Sequence, residues 1–103
     1  MNKHKLKEVS LNGKTINCVT YAGLGEMCGG RKARTIRRLV EKQVLAPPYM
    51  RMPNEEYGAW LFPLEYAKRL SRVINAEITP RQKINPNTIA KLWEIYKEEK
   101  SKL

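Results

Sequence analysis

The sequence has no aspartate, one histidine and two cysteines, and these shortages restrict catalysis and metal binding. A structural zinc site needs four cysteine or histidine ligands, whereas His4, Cys18 and Cys28 supply fewer. Two cysteines are also too few for a disulfide framework, so we expect buried, reduced thiols. His4 lies in a polar terminal segment, and the sequence offers no general base to activate either cysteine thiol. Phosphate-loop and dinucleotide-binding motifs are also absent. The sequence therefore predicts no enzyme, no metal and no cofactor.

Long apolar runs are also missing. No stretch approaches the length of a membrane span, and the polar start at residues 1–5 is not followed by an apolar signal core. We therefore expect a soluble, cytoplasmic protein without a membrane partner. At 103 residues the chain is long enough for a single small domain.

Acidic residues are scarce relative to basic ones. Twenty Lys and Arg face ten Glu, which gives a formal net charge of +10. Residues 1–45 hold ten basic and three acidic residues, against ten and seven in residues 46–103, so the first half has most of the positive charge. A surplus of this size favours a polyanionic partner, although charge alone also fits a protein that is merely soluble.

Hydrophobic periodicity predicts a hairpin and a helix in the first third of the chain. Val9 to Val19 alternates apolar with polar residues around Asn12-Gly13, the preferred pair for a tight hairpin turn. Thr20 is a suitable cap for a helix that begins at Tyr21. Gly29-Gly30 ends this helix, because glycine adopts the left-handed conformation without strain.

The segment from Arg31 to Leu45 has the strongest helical pattern. Apolar residues at helical spacing form one stripe, and basic residues occupy the other side. Pro47-Pro48 is expected to stop this helix. The stripe comprises Ala33, Ile36, Leu39, Val40 and Val44, and the basic side comprises Arg34, Arg37 and Arg38.

The second half predicts another hairpin and two more helices. Residues 49–52 and 59–62 look extended around the turn 53–58, and Trp60 and Phe62 are expected in the core rather than stacked on bases. A third helix follows to about Glu77, and Asn85-Pro86 opens a fourth, which we expect to pack back on the core. The tail from Lys97 to Leu103 is expected to fray.

This order predicts an α+β fold, mostly α, in the form of a winged helix-turn-helix with a short N-terminal hairpin and an added C-terminal helix. The predicted divisions are a flexible basic arm (1–8), the DNA-binding domain (9–77), and a connector with the C-terminal helix (78–103). A helix projected by a glycine turn fits the major groove, where guanidinium groups match guanine edges or phosphates. The alternative is an ordinary amphipathic helix with a solvated basic face.

The segment 35–48, TIRRLVEKQVLAPP, resembles the recognition helix of MerR-like winged helices and phage excisionases. Those proteins combine a Thr-Ile/Val-Arg helix start with a short apolar stretch that runs into Pro-Pro. The segment 59–66, AWLFPLEY, resembles their last wing strand and the helix that follows. The resemblance covers about residues 21–70. It departs from the family at residues 29–32, where a Ser-Pro helix start is common, and at Glu55-Glu56, which phosphate would repel.

Together, pattern and resemblance assign candidate DNA contacts to three places. Thr20 lies before the first helix, and Arg51, Asn54 and Tyr57 belong to the wing that the resemblance implies. The remaining contacts lie on or beside the basic helix: Arg31, Lys32, Arg34, Thr35, Arg37, Arg38 and Lys42.

The predicted function is sequence-specific binding of double-stranded DNA, of the phage or mobile-element type. Such a protein would be an architectural factor in recombination or a small transcription regulator, as a homodimer or a head-to-tail assembly on DNA, with a recombinase or polymerase as a further partner. Two alternatives stay open, namely the recognition subunit of a phage DNA-packaging machine, and a winged-helix module that binds a host protein. RNA is a third ligand that suits a basic helix.

Overall fold

The computed structural model describes residues 6–11, 13–51 and 60–102. This part of the chain is an α+β structure with helices on one antiparallel sheet. Its elements, in chain order, are β1 (Lys7–Leu11), β2 (Lys14–Val19), α1 (Tyr21–Met27), α2 (Ala33–Glu41), β3 (Met50–Arg51), β4 (Trp60–Pro63), α3 (Leu64–Glu77) and α4 (Pro86–Ser101).

The predicted first hairpin is confirmed. β1 and β2 pair antiparallel from Lys7 opposite Cys18 to Leu11 opposite Lys14. Gly13 has a φ of +80°, the left-handed conformation that the turn requires, whereas Asn12 lies outside the described residues. The predicted arm at 1–8 was too long, because ladder pairing with β2 makes Lys7 and Glu8 part of the strand.

Both predicted hairpins belong to one sheet with the strand order β1-β2-β4-β3. β4 pairs with β2 through Cys18 opposite Pro63, and with β3 through Arg51 opposite Trp60. The antiparallel pairing of β3 with β4 confirms the strands of the second hairpin. The turn predicted between them lies outside the described residues.

α1 begins and ends as predicted. The Thr20 hydroxyl accepts a 3.1 Å hydrogen bond from the backbone N–H of Gly23, which satisfies one of the free donors of the first turn. Gly29 and Gly30 have φ values of +74° and +81°, so the chain reverses between α1 and α2 in a conformation that glycine adopts without strain.

α2 is shorter than predicted at both ends. Arg31 and Lys32 precede it, with Lys32 in extended conformation, and the helix ends at Glu41, before the prolines. The stop is Gln43, whose φ of +62° is left-handed. The N–H of Val44 then donates to the Leu39 carbonyl at 2.9 Å, which closes the helix end. The prediction that Pro47-Pro48 stops the helix was therefore wrong.

α3 and α4 lie against each other and complete the core. α3 ends at Glu77 as predicted, and Asn85 caps α4 by accepting a 2.9 Å hydrogen bond from the N–H of Asn87. Leu92 and Ile95 of α4 are buried in the main core, which confirms that this helix packs back on its own chain.

The prediction of a frayed tail was wrong, since α4 continues to Ser101. The Glu99 side chain, only 6% exposed, lies between two cations, 2.9 Å from Arg69 of α3 and 2.8 Å from Lys102. Arg69 also contacts Glu98 at 2.6 Å. These ion pairs hold the end of α4 against α3.

The main core lies between the sheet and the helices. Phe62, Tyr66, Leu70 and Leu92 are fully buried in it, and Ile36 joins it from α2. None of the described helices has the length and apolar character needed to cross a bilayer.

Candidate nucleic-acid interface

α2 has one buried side and one charged, exposed side. Ile36 and Leu39 are buried, and Val40 is half-buried beside them. With about 3.6 residues per turn, the side opposite this stripe is centred on Arg34 and Arg38, one helical turn apart. Both arginines are exposed, as predicted. Of the three arginines on α2, these two lie nearest the centre of the exposed side.

Arg37 is also exposed, but its guanidinium lies toward α1. Its Cζ is 5.1 Å from the centroid of the Tyr21 ring, a cation–π distance. Tyr21 in turn packs edge-on against buried Phe62, with ring centroids 5.2 Å apart. The ring therefore connects Arg37 to the core and limits the directions in which its guanidinium can point.

Arg31 is held by the fold itself. Its guanidinium donates to the backbone carbonyls of Cys28 at 2.8 Å and Ile78 at 2.7 Å, and lies 3.4 Å from the Asn75 side-chain oxygen. These bonds connect the segment before α2 to the end of α3. The sequence predicted Arg31 as a DNA contact, which stays a prediction, and the structure gives its guanidinium a bracing position within the fold.

The other predicted contacts at the ends of α2 are exposed. Lys32 occupies the N-cap position, and Lys42 the C-cap position. Thr35 lies on the side of α2 opposite Arg37, where it lines a depression of about 300 Å³ with the connector residues Thr79 and Arg81. α2 and its two caps thus present five cationic side chains against one carboxylate, Glu41.

Thr20 is half-buried, and its hydroxyl oxygen is engaged as the cap of α1. A hydroxyl can accept and donate at once, so its proton remains available to an outside acceptor. Thr20 immediately precedes Tyr21, the residue on whose ring the Arg37 guanidinium stacks.

Only one of the three residues predicted for a wing lies within the described residues. Arg51 is exposed at the end of β3, opposite Trp60, whereas Asn54 and Tyr57 lie outside the described residues. Phe62 is buried as predicted, but Trp60 is 48% exposed, so its assignment to the core was wrong. The Arg51 guanidinium carbon lies 5.0 Å from the centroid of the Trp60 ring, a cation–π distance.

The two cysteines behave as structural residues. Both are fully buried and free, and burial raises the pKa of each thiol to about 11. A raised pKa keeps a thiol in its weakly nucleophilic form. Within the described ranges, no three His, Cys, Asp or Glu side chains gather as a metal site would require.

The sequence singled out neither Tyr21, the ring on which Arg37 stacks, nor the exposure of Trp60. The alternating pattern of β4 contained no signal that Trp60 faces outward. Tyr21 precedes the apolar stripe of α1 and could have been noticed as a half-buried aromatic beside a predicted arginine face.

No protein-family model matches the chain, and the searches of curated proteins and of solved structures find no match either.

Proposed function

We propose that this protein binds double-stranded DNA through α2, as a winged helix-turn-helix in which α1 and α2 form the helix pair and β3–β4 the wing. The observation that carries the proposal is the exposed face of α2, where Arg34 and Arg38 point outward from a helix anchored by Ile36 and Leu39. An α-helix with its side chains is about 10–12 Å across, which suits a major groove about 12 Å wide.

The geometry supports different roles for the arginines. Arg34 and Arg38, at the centre of the exposed face, are placed to reach base edges, and guanidinium binds guanine O6 and N7 as a planar fork. Arg37, displaced toward α1 by its contact with Tyr21, is placed to reach a phosphate beside the groove. Thr35 and Lys42 flank the face on the other side and suit phosphate contacts in the same way.

The biological process we propose is recombination or transcription control, with the protein as an architectural factor or small regulator on DNA. The positive charge, concentrated in residues 1–45 that include α2, supports a polyanionic partner. A packaging subunit that assembles through its C-terminal helix is less well supported, because Leu92 and Ile95 of α4 are already buried against their own chain.

Binding of labelled duplex DNA at several salt concentrations tests the proposal. We expect affinity to fall steeply with salt, because each neutralised phosphate releases counterions and adds about 0.9 to the log–log slope. Arg34→Ala or Arg38→Ala should weaken binding to a selected site by about 1–3 kcal/mol, the usual contribution of a guanidinium that reads a base.

Arg72→Ala is the matched control, because it removes the same charge from an exposed position on α3. We expect it to leave discrimination between sites unchanged. Selection of a bound sequence from a random duplex pool would supply the site, and an inverted repeat would identify a dimer. Absence of duplex binding at low salt, or equal losses for Arg72→Ala and Arg34→Ala, would contradict the proposal.

A further inference from the structure

A depression of about 300 Å³ lies between α2 and the connector that joins α3 to α4. The buried residues that line it form an apolar floor. Leu39 and Ile78 of this floor retain 9% and 8% exposure, the largest values among the buried apolar residues that the structure describes. The apolar core therefore reaches the surface at this point. The polar residues that line the depression, none of them a carboxylate, are Arg31, Thr35, Thr79, Arg81 and Gln82.

Arg31 supplies a cation whose position is set by the fold. Its guanidinium donates to the carbonyls of Cys28 and Ile78 and lies 3.4 Å from the side-chain oxygen of Asn75. A guanidinium has five N–H donors, so two remain beyond these three contacts. No ion pair joins Arg31 or Arg81 to a carboxylate of the described residues. The described part of the chain thus leaves two positive charges at the depression without a counter-charge.

Arg81 has a backbone conformation that arginine disfavours. The N–H of Gln82 donates to the Thr79 carbonyl at 3.2 Å, which closes a tight turn with Pro80 and Arg81 at its centre. Arg81 has a φ of +67°, and glycine or asparagine is the usual residue at this place in such a turn. A strained residue that is retained suggests a role for its side chain. Here the strained turn holds a second guanidinium at the edge of the depression.

We infer that this depression binds a small organic anion with an apolar body, of the class of aromatic carboxylates. The apolar floor takes the ring, and the carboxylate pairs with the guanidinium groups of Arg31 and Arg81, whose planar donors match its two oxygens. An inorganic anion or a phosphate of a duplex would leave the apolar floor unused. At about 300 Å³ the depression is at the small end of the range for ligand sites, so it suits a single ring.

Occupation of the depression weakens DNA binding, a consequence that rests on the proposed function. Thr35 and Leu39 belong to α2, so the bound carboxylate lies beside the helix that we propose enters the major groove. Its negative charge lowers the positive potential of that helix and repels phosphate. The ligand site itself goes beyond the proposed function and does not depend on it.

Amide NMR spectra of the full chain, titrated with benzoate at constant ionic strength, test the site. We expect saturable shifts at Thr35 and at residues 79–82, with a dissociation constant of about 1 mM for a ligand of this size. Acetate lacks the ring and benzamide lacks the charge, so each should bind at least about tenfold more weakly. Equal responses to benzoate and acetate, or no saturable shift with benzoate, would overturn the inference.

Arg81→Gly separates ligand binding from folding. Glycine relieves the strained φ, so the melting temperature should rise, whereas the affinity for benzoate should fall about tenfold because a charged hydrogen bond is lost. Gln43→Gly is the matched control, because Gln43 is the other non-glycine residue of the described ranges with a positive φ and does not line the depression. It should keep the wild-type affinity for benzoate, as should Arg72→Ala, which removes a charge from an exposed position on α3. Wild-type benzoate affinity in Arg81→Gly would contradict the site.

Duplex binding with and without saturating benzoate, at constant ionic strength, tests the consequence for DNA. Affinity for the duplex should fall in the wild type and change less in Arg81→Gly. If benzoate binds but no duplex does, the ligand site stands and the proposed function is wrong. If duplex binds but benzoate does not, the ligand site is wrong and the proposed function stands. Benzoate binding with unchanged duplex affinity would support the site and contradict its effect on α2.

Discussion

The indole N–H of Trp93 donates a 2.9 Å hydrogen bond to the backbone carbonyl of Gln43. Trp93 lies on α4, and Gln43 is the left-handed residue that terminates α2. The C-terminal helix therefore contacts the end of the helix that we propose enters DNA. Together with Arg31, which ties the segment before α2 to the end of α3, this bond braces α2 from both ends.

Trp93→Phe tests the brace at the end of α2. The substitution keeps an aromatic ring that can pack near Tyr96 but removes the N–H donor. We expect a loss of about 0.5–1.5 kcal/mol in the free energy of unfolding, the usual net contribution of one hydrogen bond. Urea unfolding measures it. A wild-type midpoint for Trp93→Phe would show that α4 does not stabilise this turn.

Gln43→Gly should change stability in the opposite direction. A residue other than glycine at a φ of +62° costs about 1–2 kcal/mol, and glycine recovers part of this while adding entropy to the unfolded chain. We expect a net gain of about 0.5–1 kcal/mol by the same urea measurement. Because the carbonyl that accepts from Trp93 is a backbone group, the brace itself is retained. A destabilised Gln43→Gly variant would show that the Gln43 side chain has a role of its own.

Arg31→Ala should reduce stability rather than specific DNA contact. The guanidinium satisfies two backbone carbonyls, and hydrogen bonds from charged donors contribute about 1.5–3 kcal/mol. Because the side chain is only partly buried, we expect the lower end of that range. The melting temperature and the duplex affinity of Arg31→Ala test this prediction. Arg34→Ala is the comparison, and we expect it to keep the wild-type melting temperature but to bind duplex DNA more weakly. An Arg31→Ala variant with unchanged melting temperature and lost binding would contradict this role.

The local elements could largely be predicted from the sequence, because their signals are local. Thr20 and Asn85 are caps that act within their own first turns, and Gly29-Gly30 needs only its own backbone freedom. The basic face of α2 follows from its periodicity, so Arg34, Arg37 and Arg38 were correctly placed in solvent.

The errors concern contacts between residues far apart in sequence. The hydrogen bond from Arg31 to the Ile78 carbonyl was missed, because the two residues are 47 positions apart. The tail was expected to fray because the bond of Glu99 to Arg69 spans 30 residues. Trp60 was assigned to the core because it alternates with Leu61 and Phe62 along the strand. Alternation shows which residues share a face of a sheet, but it does not show how far along the strand that face is buried.

Glu99 should make stability depend on pH in the acid range. Burial alone raises the pKa of its carboxyl, but hydrogen bonds from Lys102 and Arg69 outweigh burial and hold it below the ordinary value of 4.5. A carboxyl with a lowered folded-state pKa stabilises the protein above its unfolded pKa, and this stabilisation is lost as the pH falls through the folded value. We therefore expect the contribution at pH 7 to decline once the pH falls below about 4.5, and to be gone below the lower folded-state pKa.

Melting temperatures of the wild type and Glu99→Gln, measured from pH 7 to pH 3, isolate this contribution. The two should differ most at pH 7 and converge in acid, because the wild-type carboxyl is then protonated. Glu94→Gln, an exposed position on the same helix, is the control and should follow the wild-type curve throughout. A constant difference between the wild type and Glu99→Gln at every pH would show that charge on Glu99 does not stabilise the α3–α4 contact.

Gly25→Ala should destabilise the protein, although the same change inside an ordinary helix adds about 1 kcal/mol of stability. A Cβ at Gly25 would collide with the backbone carbonyl of Arg31, and the Gly25 carbonyl already accepts the Arg31 N–H at 2.8 Å. The segment before α2 must then move, which we expect to lower the free energy of unfolding by about 1–3 kcal/mol. For a domain of this size, that loss lowers the melting temperature by roughly 4 °C or more. Gly30→Ala, strained in φ but facing open space, is the comparison and should cost less. If Gly25→Ala melts at or above the wild-type temperature, close packing at Gly25 does not set the spacing of α1 and α2.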